Sequence, residues 1–200
     1  MGVREDIIIV GTGGLGREIA SLFLHKELNE KYNFLGFIDD YKKKGTIVNS
    51  QKVLGSIEWL IKEKPCKQII IGYSYLQERL LLINKLQYQN FLFPTIIHPE
   101  ANLIDPENIT IGSGSIIFPF AILTTNISIG KNVIIHLGAK IHHDTILKDN
   151  CILMPNVAIT GGATIGFNVF LGTGTICATP IMIQDNSIIQ AGTIIFENTI

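Results

Sequence analysis

The sequence of 200 residues has few cysteines and almost no net charge, and both scarcities exclude classes of function. Its three cysteines, Cys66, Cys151 and Cys177, are scattered and form no CxxC pair. This usage argues against a disulfide framework and fits a reducing cytoplasm. The net charge of −1 offers no basic surface to nucleic acid or to an acidic membrane.

Long apolar runs are also missing. None approaches the roughly 18–20 residues that span a bilayer. The first six residues lack the apolar segment of a signal peptide, and Asp6 does not suit a myristoylation motif. We therefore expect a cytoplasmic protein with no membrane span.

A six-residue period does run through the second half of the chain, from residue 111 to 200. The first place of each hexad, from Ile111 to Ile195, is isoleucine or leucine except at Cys177. The fifth place, from Ser115 to Thr199, is small or β-branched. A short fixed period of this kind is typical of a parallel β-helix, in which stacked turns bury the aliphatic side chains together. An amphipathic helix would need apolar residues at i, i+3, i+4 and i+7 instead.

The first half reads as alternating strands and helices around a glycine-rich turn. Residues 6–10 form a short apolar strand, Gly11, Gly13 and Gly16 complete a G-x-G-x-x-G motif, and a helical segment follows. Such a turn brings backbone N–H groups close to a phosphate at the helix N-terminus. A second strand ends at Asp39 and Asp40, whose carboxylates can accept hydrogen bonds from a ribose or a base.

These patterns predict an α/β domain joined to a β-solenoid. We place a small Rossmann-like domain at residues 1–97 and the solenoid at 98–200. About half of a dinucleotide fold fits before residue 98, which weighs against a nicotinamide or flavin site and favours a mononucleotide. A tight βα turn that binds no ligand is the alternative.

Four histidines lie in or near the solenoid: His98, His136, His142 and His143. His143 and Asp144 occupy the third and fourth places of a hexad, so both side chains should point outward at a corner. An outward histidine beside a carboxylate suits a general base near neutral pH. Two solvated histidines without a role, or a metal site shared between subunits, are the alternatives; we predict no metal because the histidines lack a well-spaced third partner.

Taken together, these motifs resemble the sialic-acid O-acetyltransferase (NeuD)-like and bacillosamine-pathway-like sugar acyltransferases. The resemblance covers residues 7 to about 195. It is carried by five stretches: residues 8–18, residues 36–40, residues 70–72 with Arg79, His98-Pro99, and residues 141–144.

The resemblance implies a left-handed, trimeric β-helix with acetyl-CoA bound in a cleft between adjacent solenoids. It implies N-acetylation of the 4-amino group of a nucleotide-linked 4-amino-4,6-dideoxy sugar for polysaccharide or glycan synthesis. His143 would then be the general base, with Asp144 raising its basicity. Further site residues follow by the same analogy: Gly13, Gly14, Leu15, Asp39 and Asp40 for the nucleotide sugar, and Gly161, Thr173 and Ala191 for coenzyme A.

Three positions depart from the family's pattern. The family often has histidine where Leu15 and Ile152 stand, and asparagine where His136 stands. It usually continues past the last coil with a short tail, whereas this sequence stops at Ile200. Sugar O-acetylation, transfer to a small amine such as serine, and a non-catalytic trimeric scaffold that binds nucleotide sugar therefore stay open as alternatives.

Overall fold

The computed structural model describes residues 3–178 and 180–198, in two compact units, Met1–Pro94 and Thr95–Ile200. The fifth-place residue Thr199 and the chain end at Ile200 lie outside the described residues. Across the part of the chain that the structure describes, no helix is both long and apolar enough to cross a membrane.

The first unit is built on one five-stranded sheet in the order β3-β4-β2-β1-β5. All neighbours are parallel except β3 and β4. The strands are β1 (Glu5–Val10), β2 (Tyr32–Ile38), β3 (Ile47–Val48), β4 (Gln51–Gly55) and β5 (Gln68–Ile71). Residues 7–10 of the central β1 are fully buried, as expected for a parallel strand covered on both faces.

Four helices accompany this sheet: α1 (Gly14–Leu22), α2 (Lys26–Lys31), α3 (Ile57–Glu63) and α4 (Leu76–Gln87). Strands β1 and β2 and helix α1 agree with the elements predicted around the glycine motif and before Asp39. Strands β3 and β4 and helix α2 were not predicted, because their short polar segments carry no clear period. The turn from β1 to α1 depends on glycine, since Gly11 has a φ of +107° and packs under the ring of Tyr73.

The second unit begins three residues before the predicted boundary. Strand β6 (Ile96–Ile97) already pairs in parallel with β9 (Ile116–Ile117), so it forms the first rung of the solenoid. The regular six-residue period starts at Ile111 because the first coil is irregular. Leu103 pairs with Leu123, twenty positions on, whereas Ile111 pairs with Ile129, eighteen positions on. The two additional residues are accommodated at a corner around the 3-10 turn Pro106–Asn108.

Three parallel sheets of short strands form the sides of the solenoid. The first contains β7 (Asn102–Leu103), β10 (Ile122–Leu123), β13 (Lys140–Ile141), β16 (Ala158–Ile159), β19 (Ile176–Cys177) and β22 (Ile194–Ile195). The second contains β8 (Ile109–Ile111), β11 (Ile127–Ile129), β14 (Ile146–Leu147), β17 (Thr164–Ile165) and β20 (Met182–Ile183). The third contains β6, β9, β12 (Ile134–Ile135), β15 (Ile152–Leu153), β18 (Phe170–Leu171) and β21 (Ile188–Ile189).

The first and fifth places of the hexads fill the interior, as predicted. From Ile117 to Ile183 these side chains are at most 4% exposed and form one continuous cluster. Each coil therefore buries its aliphatic side chains only against the coils before and after it. Three of the fifth-place residues are both polar and completely buried: Ser115, Thr145 and Thr175.

The corners of the solenoid repeat one backbone conformation. The fourth place of most hexads has a positive φ and is held mainly by asparagine, aspartate or glycine, with Phe120 as the exception at 63°. Asparagine, aspartate and glycine enter this left-handed region more readily than other residues. The sequence therefore turns where these residues recur, and the third-place side chains beside them project outward.

Candidate functional site

One corner of the solenoid carries a hydrogen-bonded histidine and aspartate. Thr125, His143 and Gly161 occupy the third place on successive coils there, between the sheets that contain β13 and β14; we call this the His143 corner. Nδ1 of His143 lies 2.8 Å from Oδ2 of Asp144, and the two side chains are 61% and 58% exposed. Both side chains point outward, as the register predicts.

The backbone explains why an acidic residue fits beside His143. Asp144 has a φ of 57°, the left-handed conformation of the fourth place. Its second carboxylate oxygen, Oδ1, accepts a hydrogen bond of 3.2 Å from Nδ2 of Asn126, one coil earlier. The hydrogen bond with His143, followed by the one from Asn126, holds the pKa of Asp144 below its usual value. The carboxylate is therefore ionised at neutral pH and favours the tautomer that carries its proton on Nδ1.

Gly161 lies against the imidazole of His143, one coil further along the same corner. A Cβ placed on Gly161 would lie 2.5 Å from Cε1 and 2.6 Å from Nε2 of that ring. Real Cβ atoms do not approach other heavy atoms so closely. The absence of a side chain at Gly161 is what leaves room for the ring. The family resemblance implies that Gly161 contacts coenzyme A. In the structure Gly161 lies beside His143, the expected general base.

Thr173 and Ala191 do not join this group within one chain. They stack on each other at a different corner, which is formed by Pro119, Leu137, Pro155, Thr173 and Ala191 and lies between the sheets that contain β18 and β19; we call this the Thr173 corner. The amide of Gly192 donates to the carbonyl of Thr173 at 2.8 Å, which shows the direct stacking of the two coils. The side of the solenoid that contains β13 separates this corner from His143.

The remaining histidines are dispersed. His136 is buried and stacks on Phe118 at a ring distance of 4.2 Å, at the start of the Thr173 corner. His98 is also buried, and its Nδ1 accepts a hydrogen bond from the amide of Glu100 at 3.2 Å. His142 is exposed next to His143. Within residues 3–178 and 180–198, no group of three or more histidine, cysteine or acidic side chains is placed to hold a metal ion.

The first unit has a cavity of about 350 Å³ at the carboxyl end of its sheet. Gly13, Gly14 and Leu15 line it, and they lie at the N-terminus of α1. The first turn of α1 contains no acidic side chain and its cap makes no side-chain hydrogen bond. A helix N-terminus of this kind, bordered by glycines, suits an anion such as phosphate.

The two acidic residues at the end of β2 have different surroundings. Asp39 is 7% exposed and lines the cavity, where its Oδ2 accepts hydrogen bonds from the amide and hydroxyl of Thr12 and its Oδ1 accepts one from the amide of Tyr41 at 2.9 Å. Asp40 is not among the residues that line the cavity. Its Oδ1 accepts a hydrogen bond of 2.7 Å from the amide of Ile57, at the start of α3. Asp39 therefore contacts Thr12 in the glycine turn, whereas Asp40 accepts a hydrogen bond from the N-terminus of α3.

Further residues of the cavity were not predicted from the sequence. Besides Thr12, they are Tyr41, Lys42, Gly72, Tyr73, Ser74 and Tyr75. Burial, followed by the charges of Asp39 and Asp40, raises the pKa of Tyr73, so this phenol is neutral at physiological pH. Their place in the sequence, directly after β2 and β5, is what could have indicated them. The carboxyl ends of parallel strands meet at one edge of a sheet, so residues that follow these strands lie near the glycine turn.

A buried arginine supports the loop after β5. Arg79 on α4 is 1% exposed, and its Nη1 donates to the carbonyl of Ile71 at the end of β5. Burial lowers the pKa of Arg79 to about 10, so the guanidinium stays charged at neutral pH. This contact fixes the start of the segment from Gly72 to Tyr75 that lines the cavity.

The first unit is similar to a known domain family. Residues 6–86 match the PglD N-terminal domain family. The match includes the glycine turn, both acidic residues after β2, and Arg79. No curated protein matches the chain in sequence.

Solved structures share the fold of the whole chain. The acetyltransferase domain of PglB from Neisseria gonorrhoeae has 22% sequence identity and a TM-score of 0.88, over 98% of this chain and 94% of that one. It has also been solved in complex with acetyl coenzyme A, with a TM-score of 0.87. WeeI from Acinetobacter baumannii has 25% identity and a TM-score of 0.80, over 98% and 93% of the two chains.

A further match is a mutant of the perosamine N-acetyltransferase from Caulobacter crescentus, in complex with CoA and GDP-perosamine. It has 21% identity and a TM-score of 0.87, over 99% of this chain and 93% of that one. At these identities the likeness establishes the architecture. The fold is an α/β domain followed by a left-handed parallel β-helix, as predicted.

Proposed function

We propose that this protein is an acetyl-CoA-dependent N-acetyltransferase that acts on the amino group of a nucleotide-linked 4-amino-4,6-dideoxy sugar. The observation that carries the proposal is the exposed His143–Asp144 pair on a β-helix that follows a unit similar to the PglD N-terminal domain family. Similar folds are described as acetyltransferase and perosamine N-acetyltransferase structures and hold acetyl coenzyme A or CoA with GDP-perosamine.

His143 acts as the general base. Because its Nδ1 donates to the ionised Asp144, its Nε2 carries a lone pair and can accept a proton. The sugar amine attacks the thioester carbonyl of acetyl-CoA, a C–N bond forms, and the C–S bond breaks. The amine loses one proton to Nε2, and that proton passes to the CoA thiolate as it leaves. The imidazole returns to its starting state.

The cavity of the first unit binds the nucleotide part of the sugar substrate. Gly13, Gly14 and Leu15 present the N-terminus of α1 to the phosphates, and Lys42 adds a cation at the cavity. Tyr41, Tyr73 and Tyr75 supply aromatic surface for a base or ribose. We assign Asp39 to ordering Thr12 and contacting the ribose. Asp40 instead stabilises the N-terminus of α3 through its hydrogen bond with the amide of Ile57.

Coenzyme A binding requires more than one copy of the chain. Gly161 lies beside His143, but Thr173 and Ala191 lie at another corner of the same solenoid. A homotrimer of parallel solenoids brings the His143 corner of one copy to the Thr173 corner of the next. Such a trimer would bury apolar side chains on the outer faces of two sheets. They are Ile146 and Met182, which are 46% and 55% exposed, and Ile176 and Ile194, which are 40% and 52% exposed.

The test measures acetyl transfer from acetyl-CoA to a panel of UDP-, TDP-, GDP- and CMP-linked 4-amino sugars. The transfer is detected by the release of the free thiol of CoA. We expect turnover with one nucleotide series, and a rise in Tm with the same nucleotide. Turnover only with the hydroxyl counterparts would assign sugar O-acetylation. Turnover only with a small amine such as serine would assign a different acceptor. Nucleotide-sugar binding without any acetyl-CoA binding at millimolar concentration would assign the scaffold role.

A further inference from the structure

The corner between the sheets that contain β14 and β15 holds a ladder of asparagines. Four successive fourth places there are Asn132, Asn150, Asn168 and Asn186, with φ values of 55° to 64°. The Nδ2 atom of each donates to the Oδ1 atom of the next, at 3.4, 3.0 and 2.9 Å. This asparagine ladder ties successive coils together and has no charged member.

The His143 corner contains an altered version of the same ladder. Three successive fourth places there are Asn126, Asp144 and Gly162, with φ values of 52°, 57° and 76°. Asn126 donates to Asp144 as in the asparagine ladder, at 3.2 Å. The next fourth place is Gly162, which has no side-chain amide to pair with Asp144. Oδ2 of Asp144 binds His143 instead.

We propose that Asn126 is a positioning residue for the His143–Asp144 pair, an inference that rests on the proposed function. Its amide binds Oδ1 of Asp144 and leaves Oδ2 to His143, so the two oxygens have separate partners. Asp144 is 58% exposed, and an exposed carboxylate with one partner rotates freely. The second hydrogen bond fixes the carboxylate plane and hence the direction in which the imidazole points.

The first experiment removes the amide and keeps the turn. Asn126→Gly retains a residue that accepts positive φ, as Gly162 does at the same corner. We expect kcat to fall about 3–10-fold, the effect of one hydrogen bond, with KM unchanged for both substrates. The nitrogen NMR shifts of the His143 imidazole should show a weaker preference for the Nδ1–H tautomer, because its hydrogen bond with Asp144 loosens.

The matched control is Asn132→Gly. Asn132 starts the asparagine ladder as Asn126 starts its own, with a φ of 55° against 52°. The control should lose a similar amount of Tm and change neither kcat nor the tautomer preference of His143. Equal effects of Asn126→Gly and Asn132→Gly on both readouts would mean that Asn126 is only a turn residue, and the proposal would be wrong.

The second experiment replaces the amide with a charge. Asn126→Asp keeps a residue type suited to the left-handed turn but sets two carboxylates against each other. The repulsion between the two carboxylates should turn Asp144 away from His143, so kcat should fall at least as far as in Asn126→Gly and the preference for the Nδ1–H tautomer should again weaken. Asn132→Asp should change neither readout, and an equal change in that control would overturn the proposal.

The tautomer of His143 separates this inference from the proposed function. If the wild-type protein transfers no acetyl group but Asn126→Gly weakens the Nδ1–H preference and Asn132→Gly does not, the proposed reaction fails and the positioning role stands. If turnover is present and neither Asn126 variant changes the tautomer preference, the reaction stands and the positioning role fails.

Discussion

Gly161 and His143 are in direct contact across one coil of the solenoid. A Cβ on Gly161 would lie between 2.5 and 2.8 Å from three atoms of the His143 ring. The glycine is therefore required by the position of the imidazole, since its own φ is not positive.

Gly161→Ala should displace the imidazole and lower kcat by about 10-fold or more, because a displacement near 1 Å misaligns a base. The ring is 61% exposed and can swing outward, so Tm should change little. The double variant Gly161→Ala/His143→Asn should be no slower than His143→Asn alone. Additive losses would indicate that Gly161 acts on coenzyme A independently of His143.

His143→Asn should lower kcat by about 10²–10⁴-fold and leave Tm and acetyl-CoA affinity unchanged, because it removes proton transfer and keeps the exposed surface. His142→Asn is the matched control, since His142 is the adjacent exposed histidine. We expect its kcat to stay within about 2-fold of wild type. Steady-state kinetics with both variants decides the role, and unchanged kcat in His143→Asn would remove it from the mechanism.

Asp144→Asn separates the charge of Asp144 from its role in the turn. Asparagine occupies the equivalent place at Asn126 with nearly the same φ, so the backbone should be retained. Loss of the carboxylate should lower kcat by about 10–100-fold through the tautomer and basicity of His143. Circular dichroism and Tm should match wild type. A large drop in Tm would show that the carboxylate serves stability.

Two glycines of the β1–α1 turn should respond differently to alanine. A Cβ on Gly14 meets no atom within 4 Å and would enter the cavity, so Gly14→Ala should fold normally and weaken nucleotide binding. A Cβ on Gly16 would collide with the carbonyl of Gly11, so Gly16→Ala should lower the free energy of unfolding by about 1–3 kcal/mol. Chemical denaturation and nucleotide calorimetry on both variants test this division.

Asp105 should make stability depend on acidic pH. Hydrogen bonds from Thr125 and then Asn108 lower its pKa from the ordinary value of 3.8. A carboxyl whose folded-state pKa is lowered stabilises the protein above its unfolded-state pKa and loses that contribution as pH falls through the folded-state pKa. Thr125→Val should therefore have a lower Tm than wild type at pH 7, and the difference should shrink as the pH falls below the ordinary carboxyl value of 3.8. A difference that is constant with pH would mean the hydroxyl acts only by packing.

The solenoid could be predicted from sequence because its contacts are local in a fixed register. A residue pairs with the one eighteen positions away, as Ile111 does with Ile129, so burial repeats every hexad. The same register determines at which corner of the solenoid each third-place and fourth-place residue lies. Thr173 and Ala191 are eighteen residues apart, which is one whole coil. Their separations from His143, 173 − 143 = 30 and 191 − 143 = 48 residues, are not whole numbers of coils, so they lie at another corner of the solenoid.

The cavity of the first unit was predictable only in part. Gly13, Gly14 and Asp39 belong to local motifs, but Tyr41 and Tyr73 reach the cavity only because β2 and β5 lie on either side of β1. The different fates of Asp39 and Asp40 depend on the placement of Thr12 and of α3, which no local pattern encodes. The irregular first coil was missed because two additional residues interrupt the period.

The register of the corners also limits which insertions and deletions this chain tolerates. Removing eighteen residues beyond the His143 corner takes away one coil and leaves every remaining corner aligned. Removing six residues between Asn126 and Asp144 turns all later hexads by one side, so that the amide and the carboxylate face different directions. Natural length variation in this part of the protein should therefore occur in whole coils, and a one-hexad deletion should abolish activity while the strands still stack.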